Sequence, residues 1–176
     1  AYSVQPDRPD GADMNIILQP YSREHIADAI RIWNQIVEEG TAFPQKESLT
    51  EDSGNAFFSS QSFTGLAFEA DAGNMLGLYI LHPNNVGRCG HICNASYAVD
   101  SKSRGLHVGE TLVRHCMKKA RELDFRILQF NAVVKSNTAA LRLYEKLGFT
   151  RLGTIPGGFL LKDGKYEDII PHYILL

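Results

Sequence analysis

Ser101 to Glu110 reads Ser-Lys-Ser-Arg-Gly-Leu-His-Val-Gly-Glu, between a strand-like run and an amphipathic helical one. Such a junction points unpaired backbone N–H groups and the positive end of a helix at one spot, which suits a pyrophosphate. An ordinary helix-capping turn with a surface arginine has the same look. Lys102, Arg104, Arg114, Lys118 and Lys119 add positive charge nearby, which a solvated helix face would also carry. Two amides stand where strands call for apolar side chains: Asn131 in Phe130-Asn131-Ala132-Val133-Val134 and Asn94 in Cys93-Asn94-Ala95-Ser96-Tyr97. Burying an amide without partners costs about 1–3 kcal/mol, so each is expected to serve a ligand or to satisfy an irregular sheet. Cys89, His91 and Cys93 would share one face of a strand. Alternate strand residues lie about 6.6 Å apart and no fourth ligand follows at zinc spacing, so packing is expected and no metal site. Glu38, Glu39 and His91 are the candidate general bases, with a water relay as the alternative.

These residues need elements to hold them. Asn15 to Gln19 is a short apolar strand. Ser22 with Glu24 behind it opens a helix whose Ile26, Ala29, Ile30, Trp33 and Val37 recur at helical spacing until Gly40. Ser48 to Ser60 is a weaker helix. Phe63 to Ala70 and Met75 to Leu81 read as a hairpin, Pro83-Asn84-Asn85 as a turn and His91 to Val99 as a further strand. Val108, Leu112, Cys116 and Ala120 share one helical face. Arg126 to Val134 resembles a strand covered on both faces. Ala139, Ala140, Leu143 and Leu147 mark a helix stopped by Gly148. Phe149 to Ile155 and Ile169 to Leu175 complete the strands.

The 176 residues are 44% hydrophobic and 22% charged with a net charge of −2, which fits one globular domain and argues against a duplex nucleic-acid binder. No run approaches the ~18 apolar residues of a membrane span. Three cysteines fit free thiols in a reducing cytoplasm. Residues 1–13, with Pro6, Pro9 and Gly11, read as a flexible leader outside the fold, and 14–176 as a single domain.

Asn137 to Phe149 reads Asn-Thr-Ala-Ala-Leu-Arg-Leu-Tyr-Glu-Lys-Leu-Gly-Phe. This closely resembles the second signature of the GNAT acetyltransferases, Asn-x-x-Ala-x-x-Leu-Tyr-x-x-x-Gly-Phe. The Ser101–Glu110 turn resembles their acetyl-CoA motif, Arg/Gln-x-x-Gly-x-Gly/Ala. Arg104 and Gly109 match, and His107 stands in place of the first glycine. Its Cβ crowds the turn, although His is enriched among non-glycine residues at positive φ.

The resemblance implies an α/β (α+β) GNAT fold: a mixed, mostly antiparallel sheet of about six to seven strands, splayed between strands 4 and 5, with helices on both faces. It implies acetyl-CoA as co-substrate, held by Arg104, Gly105, Leu106, His107, Val108, Gly109 and Glu110. The pantetheine arm would enter the splay, borrow strand-like hydrogen bonds from Ala98 and Val99, and meet Asn137. Tyr144 would face the thioester sulfur. Asn137 also suits a helix N-cap, and Tyr144 also suits helix packing. An amine must lose its proton, a carbonyl must be polarised and a thiolate must leave. A tyrosine hydroxyl can donate to that sulfur, and a backbone N–H of the fourth strand can serve the oxyanion.

Gly40 to Gln45, Arg88 to Ala95, and Phe130-Asn131 followed by Asn137 resemble the azetidine-2-carboxylate acetyltransferases. That narrower likeness implies that Asn94 and Asn131 contact a substrate carboxylate and assist transfer. The expected partners are acetyl-CoA and a small amine, and a homodimer is common in the family. Phosphinothricin-type and peptide or protein N-acetylation remain alternatives. So does a non-catalytic acyl-CoA-binding module, for which His107 is the best argument.

Overall fold

The computed structural model describes Tyr2–Val4 and residues 14–176. Of the segment read as a leader, Tyr2–Val4 forms strand β1, paired antiparallel with β2 (Ile16–Pro20). That part belongs to the sheet, which corrects its exclusion from the fold. The remainder of residues 1–13 lies outside the described residues.

After β2 come α1 (Ile26–Glu39), α2 (Glu51–Ser59), β3 (Phe63–Glu69), β4 (Met75–Pro83), β5 (Ile92–Val99), α3 (Val108–Glu122) and β6 (Ile127–Phe130). Then follow α4 (Thr138–Lys146), β7 (Thr150–Arg151), β8 (Ile155–Leu160), β9 (Tyr166–Ile169) and β10 (His172–Leu175). One sheet runs in the order β1-β2-β3-β4-β5-β6-β10-β7, antiparallel throughout except for the parallel pair β5–β6, and β8 and β9 form a separate hairpin. The mixed, mostly antiparallel α/β architecture expected from the sequence is the one observed.

Strand alternation divides the core into two layers. Leu78 and Ile80 of β4 join Trp33, Phe43 and Phe58 beneath α1 and α2. Tyr79 and Leu81, one residue out of phase, join Leu112, Cys116 and Tyr144 beneath α3 and α4. Gly65 of β3 pairs with Tyr79, and a Cβ there would stand 2.4 Å from the Tyr79 ring, so only glycine fits under that aromatic. Gly40, at φ 66°, ends α1, and a capping box of Thr50 with Ser53 starts α2.

In the second layer the Tyr79 hydroxyl lies 2.7 Å from Nδ1 of buried His115. Burial, helped by Lys119 and Lys118, pushes the His115 imidazole down to about 4. The unfolded chain therefore binds more protons than the folded one between about pH 4 and 6.5. The stability held above pH 6.5 is lost as pH falls through that window. The loss is expected to reach roughly 2 kcal/mol once solvent screening is allowed for. Urea unfolding of wild type and His115→Gln at pH 7.5 and pH 5 checks this: the substitution should flatten the difference.

Candidate functional site

β5 and β6 pair in register for only two steps, Ile92 with Ile127 and Cys93 with Leu128. Beyond them β6 stays with β10, Phe130 opposite His172, while β5 stays with β4 as far as Val99. The two strands part from Asn94 onward; β1 aside, they are the fourth and fifth strands of the chain, where the splay was expected. They open a cavity of about 320 Å³, lined by Asn94 to Tyr97 on one side, Phe130 to Val134 on the other, and Asn137, Ala140 and Tyr144 from the α4 side.

Among the described residues, the opening leaves one edge of β5 without a strand partner beyond Cys93. Asn84 N–H bonds the Ile92 carbonyl and Asp100 N–H bonds the Leu76 carbonyl, so the even-numbered members of this antiparallel ladder face β4. Ala95, Tyr97 and Val99 therefore turn their backbone groups toward the gap. Ala98 belongs to the β4 side, opposite Leu78, with its side chain buried beneath α1. Of the expected pair Ala98 and Val99, only Val99 turns its backbone toward the gap, as Tyr97 does. The Ala95 N–H is already taken by Asn94 Oδ1 at 2.8 Å.

The turn at 101–110 leads from β5 into α3. His107 adopts φ 60°, ψ 19° as the residue preceding the helix and makes no side-chain cap bond, so the first-turn amides carry no side-chain acceptor from it. The left-handed conformation explains how an imidazole stands at a glycine position. A Cβ on Gly105, at φ 79°, would meet nothing within 4 Å, and one on Gly109 would find its nearest neighbours at 3.9 Å. Packing therefore does not demand glycine at 109; close approach of something else to the backbone would. Val108 is buried and Leu106 packs against the same core, which anchors the turn.

Charges around the turn are mostly spent. Glu110 accepts from Arg114 and from Lys146, the latter at 3.1 Å, and these bonds outweigh burial to hold its carboxyl below the ordinary range. Its backbone N–H stays in the first turn while its own negative charge is neutralised. Lys118 and Lys119 pair with Glu122 at the far end of α3. One row of α1 clasps the turn: Arg31 bonds Asp100 at 3.1 Å, the Gln35 oxygen accepts from Ser101 N–H, and Glu39 pairs with Arg104.

α4 supplies the remaining groups. Asn137 caps it, its Oδ1 accepting from Ala140 N–H at 3.3 Å, which leaves its Nδ2 for the cavity. Tyr144 is 9% exposed, packed against Phe130, Phe149 and His172 with ring centroids 4.6, 5.3 and 5.7 Å away. Burial pushes its hydroxyl well above the ordinary phenol range, so it stays protonated.

The asparagine pair departs from expectation. β6 ends at Phe130, so Asn131 sits beyond the strand and is exposed, while Asn94 is half-buried. The premise of a buried amide in a central strand fails, because neither neighbouring strand continues alongside Asn131. Both amides nonetheless converge, through Asn84, whose Oδ1 lies 3.4 Å from Asn94 Nδ2 and 2.7 Å from Asn131 Nδ2. Asn84 was legible only as a turn residue, since an Asn beside Pro83 already has a local reason to be there.

Of the candidate bases, Glu39 is held by Arg104, and exposed His91 sits where β5 and β6 still touch, outside the cavity. Glu38 lines a neighbouring cavity of about 630 Å³, which shares Phe43 and Pro44 with the first and has β8 residues Gly158 to Leu160 as a wall. The β8–β9 hairpin is not among the elements read from the sequence; only its ends, Ile155 and Ile169, fall within runs read as strands. Among the described residues no group of three or more His, Cys, Asp or Glu is placed to hold a metal ion, and no helix is long and apolar enough to cross a membrane.

Comparison with known proteins agrees with this geometry. N-acetyltransferase aca1 of Schizosaccharomyces pombe is 35% identical over 101 residues, 57% of this chain and 47% of that protein, so the chain spans about half the length of this curated relative. A GCN5-related N-acetyltransferase from Kribbella flavida superposes with a TM-score of 0.84 at 28% identity, covering 92% of this chain and 98% of that one. A phosphinothricin acetyltransferase from Sinorhizobium meliloti in complex with acetyl-CoA shares the fold, with a TM-score of 0.83 at 17% identity over 92% and 88% of the two chains. The model of the acetyltransferase (GNAT) family matches residues 29–149, and the chain belongs to that family.

Proposed function

We propose that the chain transfers acetyl from acetyl-CoA to the amine of a small, carboxylate-bearing molecule, an amino acid or a proline-like analogue. The observation that carries this is the parting of β5 and β6 beside a turn where Gly105 and Gly109 leave open space over the backbone and α3 has no side-chain cap. The first-turn amides of α3, Gly105, Gly109 and Arg104 would hold the pyrophosphate, and Leu106, His107, Val108 and Glu110 would shape its cradle. The backbone of Val99 and Tyr97 and the Asn137 amide would hold the pantetheine arm. Acetyl-CoA supplies an activated thioester. Tyr144 donates a hydrogen bond where the thiolate departs, and the Tyr97 N–H faces the gap where oxyanion charge would develop. Asn94 and Asn131 orient the acceptor. The larger cavity, with Glu38 on its wall, is the approach for the amine. Acetylation of a peptide or protein amine is the second reading, favoured by that cavity's size.

Thiol release from acetyl-CoA with a panel of amino acids, their amides, polyamines and peptides tests the proposal. Release confined to carboxylate-bearing small amines is expected. Release only with peptides would replace the substrate class, and none with any amine would sink the proposed activity.

The Glu39–Arg104 pair adds a prediction. Acetyl-CoA would compete with Glu39 for the guanidinium, so Glu39→Gln is expected to tighten its binding by about two- to fivefold. Arg104→Ala should weaken it by about tenfold at low salt, with the gap closing as ionic strength rises. Calorimetric titration in 50 and 500 mM salt, roughly bracketing the screening range, checks both signs.

A further inference from the structure

The three asparagines at the mouth of the gap form one network with a definite polarity. Asn84 is fixed by its own N–H, which bonds the Ile92 carbonyl at 2.8 Å and closes the turn between β4 and β5. Its side-chain oxygen accepts from both Asn94 and Asn131, one from each side of the gap. The carbonyl ends of those amides are engaged elsewhere: Asn94 Oδ1 accepts from the Ala95 N–H, and Asn131 Oδ1 accepts from Gln129 Nε2 at 3.1 Å. Each NH2 group has two N–H donors and gives one to Asn84. What remains is one N–H donor from β5 and one from the end of β6, beside carbonyl oxygens that each already accept one hydrogen bond.

We infer that Asn84 is a specificity-determining positioning residue, whose oxygen turns Asn94 and Asn131 into a paired donor for an acceptor-only group, the substrate carboxylate. This rests on the acetyl-transfer reading above. A carboxylate accepts at both oxygens and so engages both N–H donors at once; an ammonium or guanidinium, with donors only, meets none of them and finds only carbonyl oxygens that already accept one bond each. Asn84 does not line the cavity, so it selects without touching the substrate. An aspartate at this position would keep both hydrogen bonds yet place a negative charge behind the donors, opposing a second carboxylate.

The test compares azetidine-2-carboxylate with its carboxamide as acceptors for wild type, Asn84→Asp and Asn84→Ala. Wild type should favour the carboxylate by about tenfold or more in kcat/KM. Asn84→Asp should invert that preference through KM, with kcat on the carboxamide within about twofold of wild type. Asn84→Ala should bring the ratio close to one. A wild-type ratio retained in both variants overturns the role of Asn84 while leaving acetyl transfer standing. An even-handed wild type that turns over both acceptors overturns the carboxylate selectivity itself. If wild type turns over neither acceptor, NMR titration of the acetyl-CoA-loaded protein with azetidine-2-carboxylate decides. Shifts of the Asn94 and Asn131 side-chain amides that vanish in Asn84→Asp support the inference, and unmoved amides in wild type overturn it. Thermal melting with and without acetyl-CoA checks that each variant is folded, and Asn84→Ser replaces the alanine variant if that one is not.

Discussion

Tyr144→Phe is expected to lower kcat by about a hundredfold while leaving acetyl-CoA affinity within about twofold of wild type. The substitution removes one oxygen and keeps the ring that packs on Phe130, Phe149 and His172, so the α4 layer is undisturbed. The hydroxyl belongs to a residue lining the gap, and burial keeps it protonated across the working pH range. It can therefore donate to a leaving thiolate but not act as a base, and no alkaline limb below about pH 9 should trace to it. Steady-state rates across a pH series, under conditions where chemistry limits turnover, read the effect. Turnover equal to wild type would leave Tyr144 a packing residue.

Asn131→Ala is expected to cost about ten- to a hundredfold in kcat/KM on a carboxylate-bearing amine, and clearly less on its amide. A charge-assisted hydrogen bond is worth about 1.5–3 kcal/mol, which sets that range. The exposure of Asn131 sharpens the experiment. It lies outside β6 and supports no core packing, so stability should stay within about 0.5 kcal/mol. Any kinetic loss then belongs to the site. An equal loss on both substrates would point to acetyl positioning, and normal kinetics on both would end the assignment.

What the sequence disclosed and what it hid divide along physical lines. α3 and α4 were legible because their apolar spacing, their turns and Gly148 agree, and the Asn137–Phe149 signature lies on one helix and its stop. The parting of the strands was expected at the right place through family resemblance. Its consequence was not: a run such as Phe130 to Val134 looks like strand whether or not a neighbour continues beside it. Here β6 stops where its partners leave, and an amide read as buried turns out exposed. Phe149 to Ile155 reads as one strand, yet only Thr150–Arg151 of it forms β7, and Ile155 instead opens β8, which runs on through Pro-Gly-Gly with Gly157 at φ 62°. Ile169 to Leu175 reads as one strand but is cut at Ile170-Pro171 into β9 and β10. Asn84 and the α1 clasp on Asp100, Ser101 and Arg104 depend on contacts far apart in the chain, which local pattern does not encode.

The central claim is that the gap between β5 and β6, with the turn beside it, is an acetyl-CoA site. Thermal unfolding with and without acetyl-CoA tests it most directly, because it needs no acceptor. At a hundredfold excess over its dissociation constant, acetyl-CoA should stabilise the fold by about 2.7 kcal/mol. For a chain of this length that raises the melting temperature by roughly 5–10 °C. A melting temperature unmoved by millimolar acetyl-CoA would contradict the account.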